Sequence, residues 1–468
     1  MQTNDSNSLP FWERLNNWVS RSVTLKLFII GFLVLVLLIP ANLVQGLIAE
    51  RESTRDQATA EISGKWGDAQ TIGGPVLTVP YRRTVTDEKG KTSVETAYAH
   101  LLPETLNVTG SVAPEKRYRG LYVVMLYQAR LRLNGTFVRP DFTKLGVAGS
   151  ALRWDEAFVN LGVSDMRGIR ETVGLTWNGR ALDPSPGIVS SDLFAAGISA
   201  PVDMPPTGSE PLRFTANLVL NGSSELRFLP FGKETTVALT SGWGSPSFTG
   251  AFLPDRRNVT EKGFSAFWKV LHYNRNYPQQ GLGAFLPKKT GSELQNRVLL
   301  QPRDETGTFG VRLLLPVDEY QKTTRSAKYA SLFVLLTFSS FFFVEILSGR
   351  RLHPIQYLLV GFAVCLFYVL LLSISEQLSF HWAYLIGCAI ILTMVFLYTK
   401  SIFKSPRITL IFNGILALMY GFFYSLLQLE DYSLLLGSLG LALILGVVMY
   451  LTRRIDWYNA YGKAELNT

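Results

Sequence analysis

Through the last third of the chain, apolar runs alternate with short charged connectors. Residues 327–346, 355–373, 382–398, 408–427 and 432–451 form runs of about 17–21 residues. That length is close to the ~20 residues a helix needs to cross a bilayer core. A sixth run opens the chain: residues 25–39 are almost wholly apolar, and the stretch continues past Pro40 to Ile48. A soluble core does not need five such runs joined by connectors this short. The pattern predicts a membrane α-helical bundle of six transmembrane helices.

Between the first run and the other five the texture changes. Residues 50–64 (ERESTRDQATAEISG) mix charges and end in glycine, predicting a short helical stalk. Segments 75–81, 120–133, 212–220, 235–239, 264–272 and 308–317 are rich in β-branched and aromatic residues and are separated by Gly, Pro, Asn and Asp clusters. In 264–272, Phe264, Ala266, Trp268 and Val270 alternate onto one face. Asn134-Gly135 and Asn221-Gly222 close similar apolar runs and predict hairpin turns. The expected fold is the six-helix bundle plus a large β-rich periplasmic domain inserted between helices 1 and 2. Its boundaries are a cytoplasmic N-terminus at 1–24, a transmembrane signal anchor at 25–47, the β-rich domain at 48–326, the five-helix remainder at 327–452 and a cytoplasmic C-terminus at 453–468. At the return to the membrane, Asp318 and Gln321 have capping-box spacing. A helix starting there is expected to run unbroken through Lys322, Arg325 and Lys328 into the bilayer.

Charge supplies the orientation. Arg350 and Arg351, then Lys400, Lys404 and Arg407, then Arg453 and Arg454 follow alternate runs, whereas connectors 375–381 and 428–431 carry no Lys or Arg. Cations of short loops stay in the cytoplasm, so both termini face inward, while Glu376 and the Glu430–Asp431 pair face outward. Arg14, Arg21 and Lys26 precede or open the first run, and no small-x-small signature closes it, which favours an uncleaved anchor over a removed signal peptide. The mean hydropathy of the 468 residues is +0.18, too low for a chain that is mostly membrane-embedded, and the net charge is +9. Of the 45 basic and 36 acidic residues, counting gives 33 and 28 between positions 48 and 326. The excess is partly the topology signal and does not point to nucleic acid. Both cysteines, Cys365 and Cys388, fall in apolar runs, so the exported section has no disulfide framework. With no thiol and only His100 and His272 in that section, it also lacks a set of structural zinc ligands.

The chain contains no GxSxG, HExxH or GxxxxGK[ST], and no GxGxxG following a strand. Asp155 and Glu156 are adjacent, and neighbours on a strand point to opposite faces, so solvated carboxylates at a turn or helix start are the favoured reading. The most distinctive exported stretch is 162–169 (GVSDMRGI), where Asp165 and Arg167 pair either for a polar partner or as a structural ion pair at a turn. Arg117, Arg119 and Tyr122 mix cations with an aromatic, as a surface for anionic glycan or lipid headgroups would, or as ordinary strand patterning does. Within the membrane, Glu345 is a functional candidate for proton or ion movement, or else a carboxylate near a helix end that reaches the interface or pairs with Arg350 or Arg351. His353 lies just beyond it, and Glu376 lies on the outer side. No cofactor or metal is implied, and the expected partners are membrane lipids and a periplasmic protein, glycan or lipid.

Seven phrases carry a resemblance: 70–75 (QTIGGP), 162–169 (GVSDMRGI), 247–254 (SFTGAFLP), 263–268 (GFSAFW), 320–329 (YQKTTRSAKY), 353–357 (HPIQY) and 373–376 (SISE). With the order of signal anchor, exported domain and five clustered helices, the chain is similar to the inner-membrane protein CreD family of Gram-negative bacteria, from about residue 20 to 455. The resemblance implies a cell-envelope integrity protein under a sensor-kinase regulon, with links to colicin tolerance and envelope stress. It carries over no catalytic residues. The chain's own residues favour a non-enzymatic periplasmic binding or scaffolding domain. A transporter or lipid-handling protein using Glu345 and His353 is the alternative, and an exported hydrolase the third.

Overall fold

The computed structural model describes residues 23–86, 91–204, 210–287, 307–315, 319–348, 352–429 and 432–453. Arg14, Arg21, Arg350, Arg351, Glu430, Asp431, Arg454 and the Asp318 cap, with the side chain of Gln321, lie outside them. The chain divides into two units, Met1–Thr54 with Val317–Thr468, and Arg55–Pro316.

In the first unit, helix α1 (Val23–Trp66) begins, and its last turns belong to the second unit. It is followed by α2 (Glu319–Lys328), α3 (Ala330–Ser348), α4 (Pro354–Ser375), α5 (Phe380–Phe403), α6 (Pro406–Gln428) and α7 (Ser433–Thr452). The apolar runs thus lie in helices, with α1 continuing through the expected stalk to Trp66 and the second run divided at Tyr329. Along α1, Leu33, Leu37, Ala41, Val44 and Ile48 are buried at helical spacing, while Phe28, Phe32, Leu35, Ile39 and Leu43 are exposed. A stripe of contacts on one side and bare apolar side chains on the other is how a helix sits between protein and lipid. Close approach on the packed side depends on Gly361 of α4, where a Cβ would stand 2.1 Å from Leu37 Cδ1. Phe338, Phe341, Phe367, Phe403, Phe412, Tyr384 and Tyr420 fill the interior of the bundle.

Among the described residues four helices are long and apolar enough to cross a membrane, and a fifth is added if α2 and α3 count as one span; the apolar run Leu434–Tyr450 is shorter. The expectation of an unbroken helix at the return is corrected here, because the axis bends by 48° between Lys328 and Ala330. The chemistry on the two sides explains the break. Polar α2 lays Thr323, Ser326 and Ala327 into the bundle, whereas α3 is mostly apolar, and the Tyr329 amide turns back to Ser326 O at 3.1 Å.

The second unit is built from strands. In chain order they are β1 (Gln70–Thr86), β2 (Thr92–Leu101), β3 (Thr105–Arg119), β4 (Tyr122–Phe137), β5 (Phe158–Val163) and β6 (Gly174–Trp177). There follow β7 (Arg180–Leu182), β8 (Ser185–Pro186), β9 (Gly197–Pro201), β10 (Leu212–Ser223), β11 (Glu225–Phe228) and β12 (Glu234–Ser241). Last come β13 (Pro246–Gly250), β14 (Arg256–Thr260), β15 (Gly263–Leu271), β16 (Gln280–Leu282) and β17 (Phe309–Leu313). One sheet runs β13-β17-β11-β1-β5-β9-β8, with β2 on β1 and β16 on β2, and the other runs β14-β15-β12-β3-β4-β10-β6-β7. Both contribute to a single core. Phe248 and Phe309 from the first sheet meet Trp268 from the second at 5.7 and 5.9 Å. Phe264, Ala266, Trp268 and Val270 share the buried face of β15, as their alternation predicts.

The two Asn-Gly turns are corrected. Asn134-Gly135 lies inside β4 and Asn221-Gly222 inside β10, and the two strands pair with each other through Thr215↔Asn134 and Asn221↔Gln128. A type I′ turn needs positive φ, and neither glycine has it. Their role is close approach: a Cβ on Gly135 would lie 1.9 Å from Thr105 O, and one on Gly222 would lie 2.3 Å from the Tyr127 hydroxyl.

Candidate functional site

Two charged constellations stand out, one in each unit, and both engage α1. In the helical unit, Glu345 is 1% exposed at the end of α3. The Tyr357 hydroxyl donates to its Oε2 at 2.7 Å and the Leu352 amide to its Oε1 at 3.1 Å. Lys26 of α1 completes the set through an ion pair with Oε1. A buried carboxylate is tolerated when a cation and further donors surround it, and here each donor comes from a different segment. Arg51 of the same helix reaches Glu376, the C-terminal cap of α4, at 3.8 Å. No charged residue lies between Lys26 and Glu50. Lys26 and Arg51 are therefore about 37 Å apart along the helix axis, slightly more than the ~30 Å of a hydrocarbon core. One ion pair thus fastens α1 near each end of its apolar length.

The expected partners Arg350 and Arg351 of Glu345 lie outside the described residues; Lys26, 319 positions away, occupies that role. The available signal was a lone lysine at the mouth of an apolar run. His353 does not join this cluster. It is exposed and caps α4, its Nδ1 accepting from the Ile355 amide at 3.3 Å while its own amide donates to Gln356 Oε1 at 3.1 Å.

In the β-rich unit, residues distant in sequence converge on the last turns of α1. Asp165 caps a short 3₁₀ turn and accepts from the Arg167 amide at 3.1 Å and the Asp68 amide at 2.9 Å. The Arg167 guanidinium donates to both Asp165 oxygens at 2.9 Å. Its remaining donors reach Gly64 O at 2.6 Å and Asp68 Oδ2 at 3.0 Å. Arg167 thus ties a carbonyl at the C-terminal end of α1 to the turn after β5, where a cation also suits the helix dipole. Arg119 pairs with Glu61 at 2.6 Å, and the Arg117 and Arg170 guanidinium groups lie 5.1 and 5.5 Å from the Trp66 ring centre. Tyr122 is the cross-strand neighbour of Arg119, and among the described residues no hydrogen bond or ring contact joins it to the helix. Asp155 and Glu156 sit in an exposed 3₁₀ turn beside Arg153.

Burial pushes the Asp165 carboxyl up, but hydrogen bonds from Arg167 and the two amides outweigh it, and its pKa falls below the ordinary carboxylate value. Because the folded-state pKa is lowered, the stabilisation is present above ~3.9, the value for unfolded Asp, and is lost as pH falls through the folded value. Arg167→Ala is expected to reduce unfolding free energy by ~1–2 kcal/mol at neutral pH, since the guanidinium is half exposed. Denaturant titration of the full chain in detergent at pH 7 and pH 3 checks this. The deficit shrinks at pH 3 if Asp165 carries it, and an equal deficit at both pH values refutes the assignment.

Sequence comparison places these features in a family. The family described as "Inner membrane protein CreD" matches residues 22–458. Inner membrane protein CreD of Escherichia coli (strain K12) is 33% identical over 428 residues, covering 91% of each chain. Among solved structures, the crystal structure of an M1 zinc metallopeptidase from Deinococcus radiodurans aligns at 14% identity over 50% of this chain and 53% of that one. Its TM-score is 0.21, a superposition too loose to bear on fold or chemistry. The family match takes in α1, the strands of the β-rich unit and all the later helices: the chain belongs to the inner membrane protein CreD family.

Proposed function

We propose that this chain is a multi-pass inner-membrane protein with six spanning helices and both termini in the cytoplasm, which presents its β-rich unit to the periplasm as a non-enzymatic binding or scaffolding module. In this reading it supports cell-envelope integrity, including tolerance of colicins and of envelope stress, and its partners are membrane lipids and a periplasmic protein, glycan or lipid. The observation that carries the reading is α1. One helix is fastened by Lys26–Glu345 and Arg51–Glu376 in the helical unit, and its last turns are held by Arg119 and Arg167 in the β-rich unit. Of the residues that looked like a partner surface, Arg117, Arg119 and Arg167 already have a partner in the chain's own helix and Asp165 is held by Arg167, which suits a scaffold better than a catalyst.

The test is a pair of measurements in cells. A Tyr273→Cys variant, at a position 84% exposed, is expected to react with a membrane-impermeant maleimide in intact spheroplasts. A chain lacking residues 70–313 is expected to lose protection against colicin and envelope stress. Labelling only after lysis, or full protection from the shortened chain, overturns the proposal. The buried Lys26–Glu345–Tyr357 set supports a second reading, transport or lipid handling through the bundle. Full envelope function in a Glu345→Gln variant would remove that one.

A further inference from the structure

The two sheets do not end together. Strand β14 is the outermost strand of one sheet and β13 of the other. Between them lies a groove of about 730 Å³ lined by Pro246, Ser247, Phe248, Leu253, Arg257 and Val259, among others. That volume falls within the range of sites that take small ligands or peptide side chains.

Register shows why the groove is open. Val259 pairs with Phe264 and Arg257 with Ala266, and directly opposed residues share a face. Phe264 and Ala266 belong to the buried face of β15, so the Val259 and Arg257 side chains point to the inner side of their sheet. There they overhang the edge strand β13, whose Phe248 packs on Phe264 at 5.9 Å and on Trp268 at 5.7 Å. Val259 stays 44% exposed and Leu253 70% exposed, apolar side chains at the rim of a core with no strand over them among the described residues. The backbone is open as well. Thr260 and Gly263 flank the two-residue turn Glu261–Lys262 and form the hydrogen-bonded pair nearest it. Alternation along the ladder then directs the N–H and C=O groups of Arg257 and Val259 away from β15.

Charge narrows the occupant. Arg256 lies over the Phe267 ring at 4.7 Å. Among the described residues Arg257 has no ion-pair or hydrogen-bond partner and no carboxylate lines the groove. Two copies of β14 laid edge to edge would bring four arginines and no carboxylate into one short ladder, which disfavours a second copy of this chain.

We infer that the β14 edge is a docking site for an extended segment of another envelope protein, one that adds a strand to β14, inserts an apolar side chain between Val259, Leu253 and Phe248, and places a carboxylate two residues away opposite Arg257. Strand addition of this kind draws affinity from main-chain hydrogen bonds and specificity from alternate side-chain pockets. The site names a partner chemistry for the proposed scaffold and rests on that reading. The groove itself is tested on purified protein, so the binding result does not depend on which side of the membrane the unit faces.

The probe is a fluorescein-labelled heptapeptide, Thr-Leu-Thr-Glu-Thr-Leu-Thr, whose leucines and glutamate share one face of a strand. The control carries lysine in place of glutamate. Anisotropy is measured against the full chain in zwitterionic nanodiscs. We expect saturable binding of the glutamate peptide that weakens by roughly tenfold in an Arg257→Glu variant, the factor that corresponds to ~1.4 kcal/mol. The lysine peptide should recover affinity on that same variant, a charge swap that an unfolded protein cannot produce. Val259→Pro, which removes an amide facing the open edge, should weaken the glutamate peptide on wild-type charge. Equal binding of both peptides, indifference to Arg257→Glu, or no saturable binding at millimolar peptide overturns the inference. Self-association of the chain that competes with the peptide would show a second copy to be the occupant and overturns it equally.

Discussion

Replacing Lys26 by methionine, with Glu345 left in place, is expected to destabilise the helical unit by about 3–5 kcal/mol, the usual result of stranding one member of a buried ion pair. Among the described residues the Glu345 carboxylate has three donors, of which Lys26 carries a charge. Removing the whole polar set should be far milder. A Lys26→Met/Glu345→Leu/Tyr357→Phe variant loses both charges and the hydroxyl that would otherwise be orphaned. Its residual deficit should be only ~1–2 kcal/mol, from the Leu352 amide and imperfect packing. Unfolding by titration with SDS in mixed micelles, followed through intrinsic fluorescence, separates the two cases. A single variant within ~0.5 kcal/mol of the parent would mean that Glu345 does not rely on the lysine.

Gly135→Ala should be the most damaging conservative change in the β-rich unit. Its Cβ would enter within 1.9 Å of a backbone oxygen, that of Thr105, and within 2.8 Å of the Phe214 ring. A flexible side chain can swing away from such a clash, but a carbonyl in a paired ladder moves only if β3 and β4 separate. Overpacking usually costs about 1–3 kcal/mol, and here the upper end or more is expected. Gly149→Ala, where a Cβ meets nothing within 4 Å, should stay within ~0.5 kcal/mol of the parent. Thermal melts of the two purified variants decide it, and similar melting temperatures would show that β3 and β4 do not pair in this register.

The helices were legible because twenty apolar residues in a row leave the backbone a single way to satisfy itself in lipid. The alternation in β15 was legible for the same kind of reason, since Phe264, Ala266, Trp268 and Val270 repeat with the period of a strand. Asn134-Gly135 and Asn221-Gly222 misled because glycine serves two purposes, positive φ and close approach, and composition does not tell them apart. Only the opposing Thr105 and Tyr127 reveal which purpose applies. The bend after Lys328 was hidden because helix propensity continues through it, and the break comes from what each side packs against. Asp165 and Arg167 could be named from a distinctive octapeptide, but their third partner, Gly64 O, is a backbone atom 103 positions away. No side-chain pattern announces a carbonyl. Lys26 and Glu345 were each visible alone, and their pairing is a property of helix packing.

The parallel pairings in the two sheets set a timetable. Strand β1 cannot meet β11 until Leu226 to Phe228 exist, and β3 cannot meet β12 until Glu234 to Ser241 exist. At roughly 5–20 residues per second of synthesis, each early strand waits on the order of ten to thirty seconds for its neighbour. During that interval Gln70 to Ile72 of β1 lack the β11 edge, although β2 and β5 are already made and can pair with the rest of the strand. Nascent chains of this protein should therefore depend on holding factors and be sensitive to proteolysis in that window, whatever the stability of the finished fold.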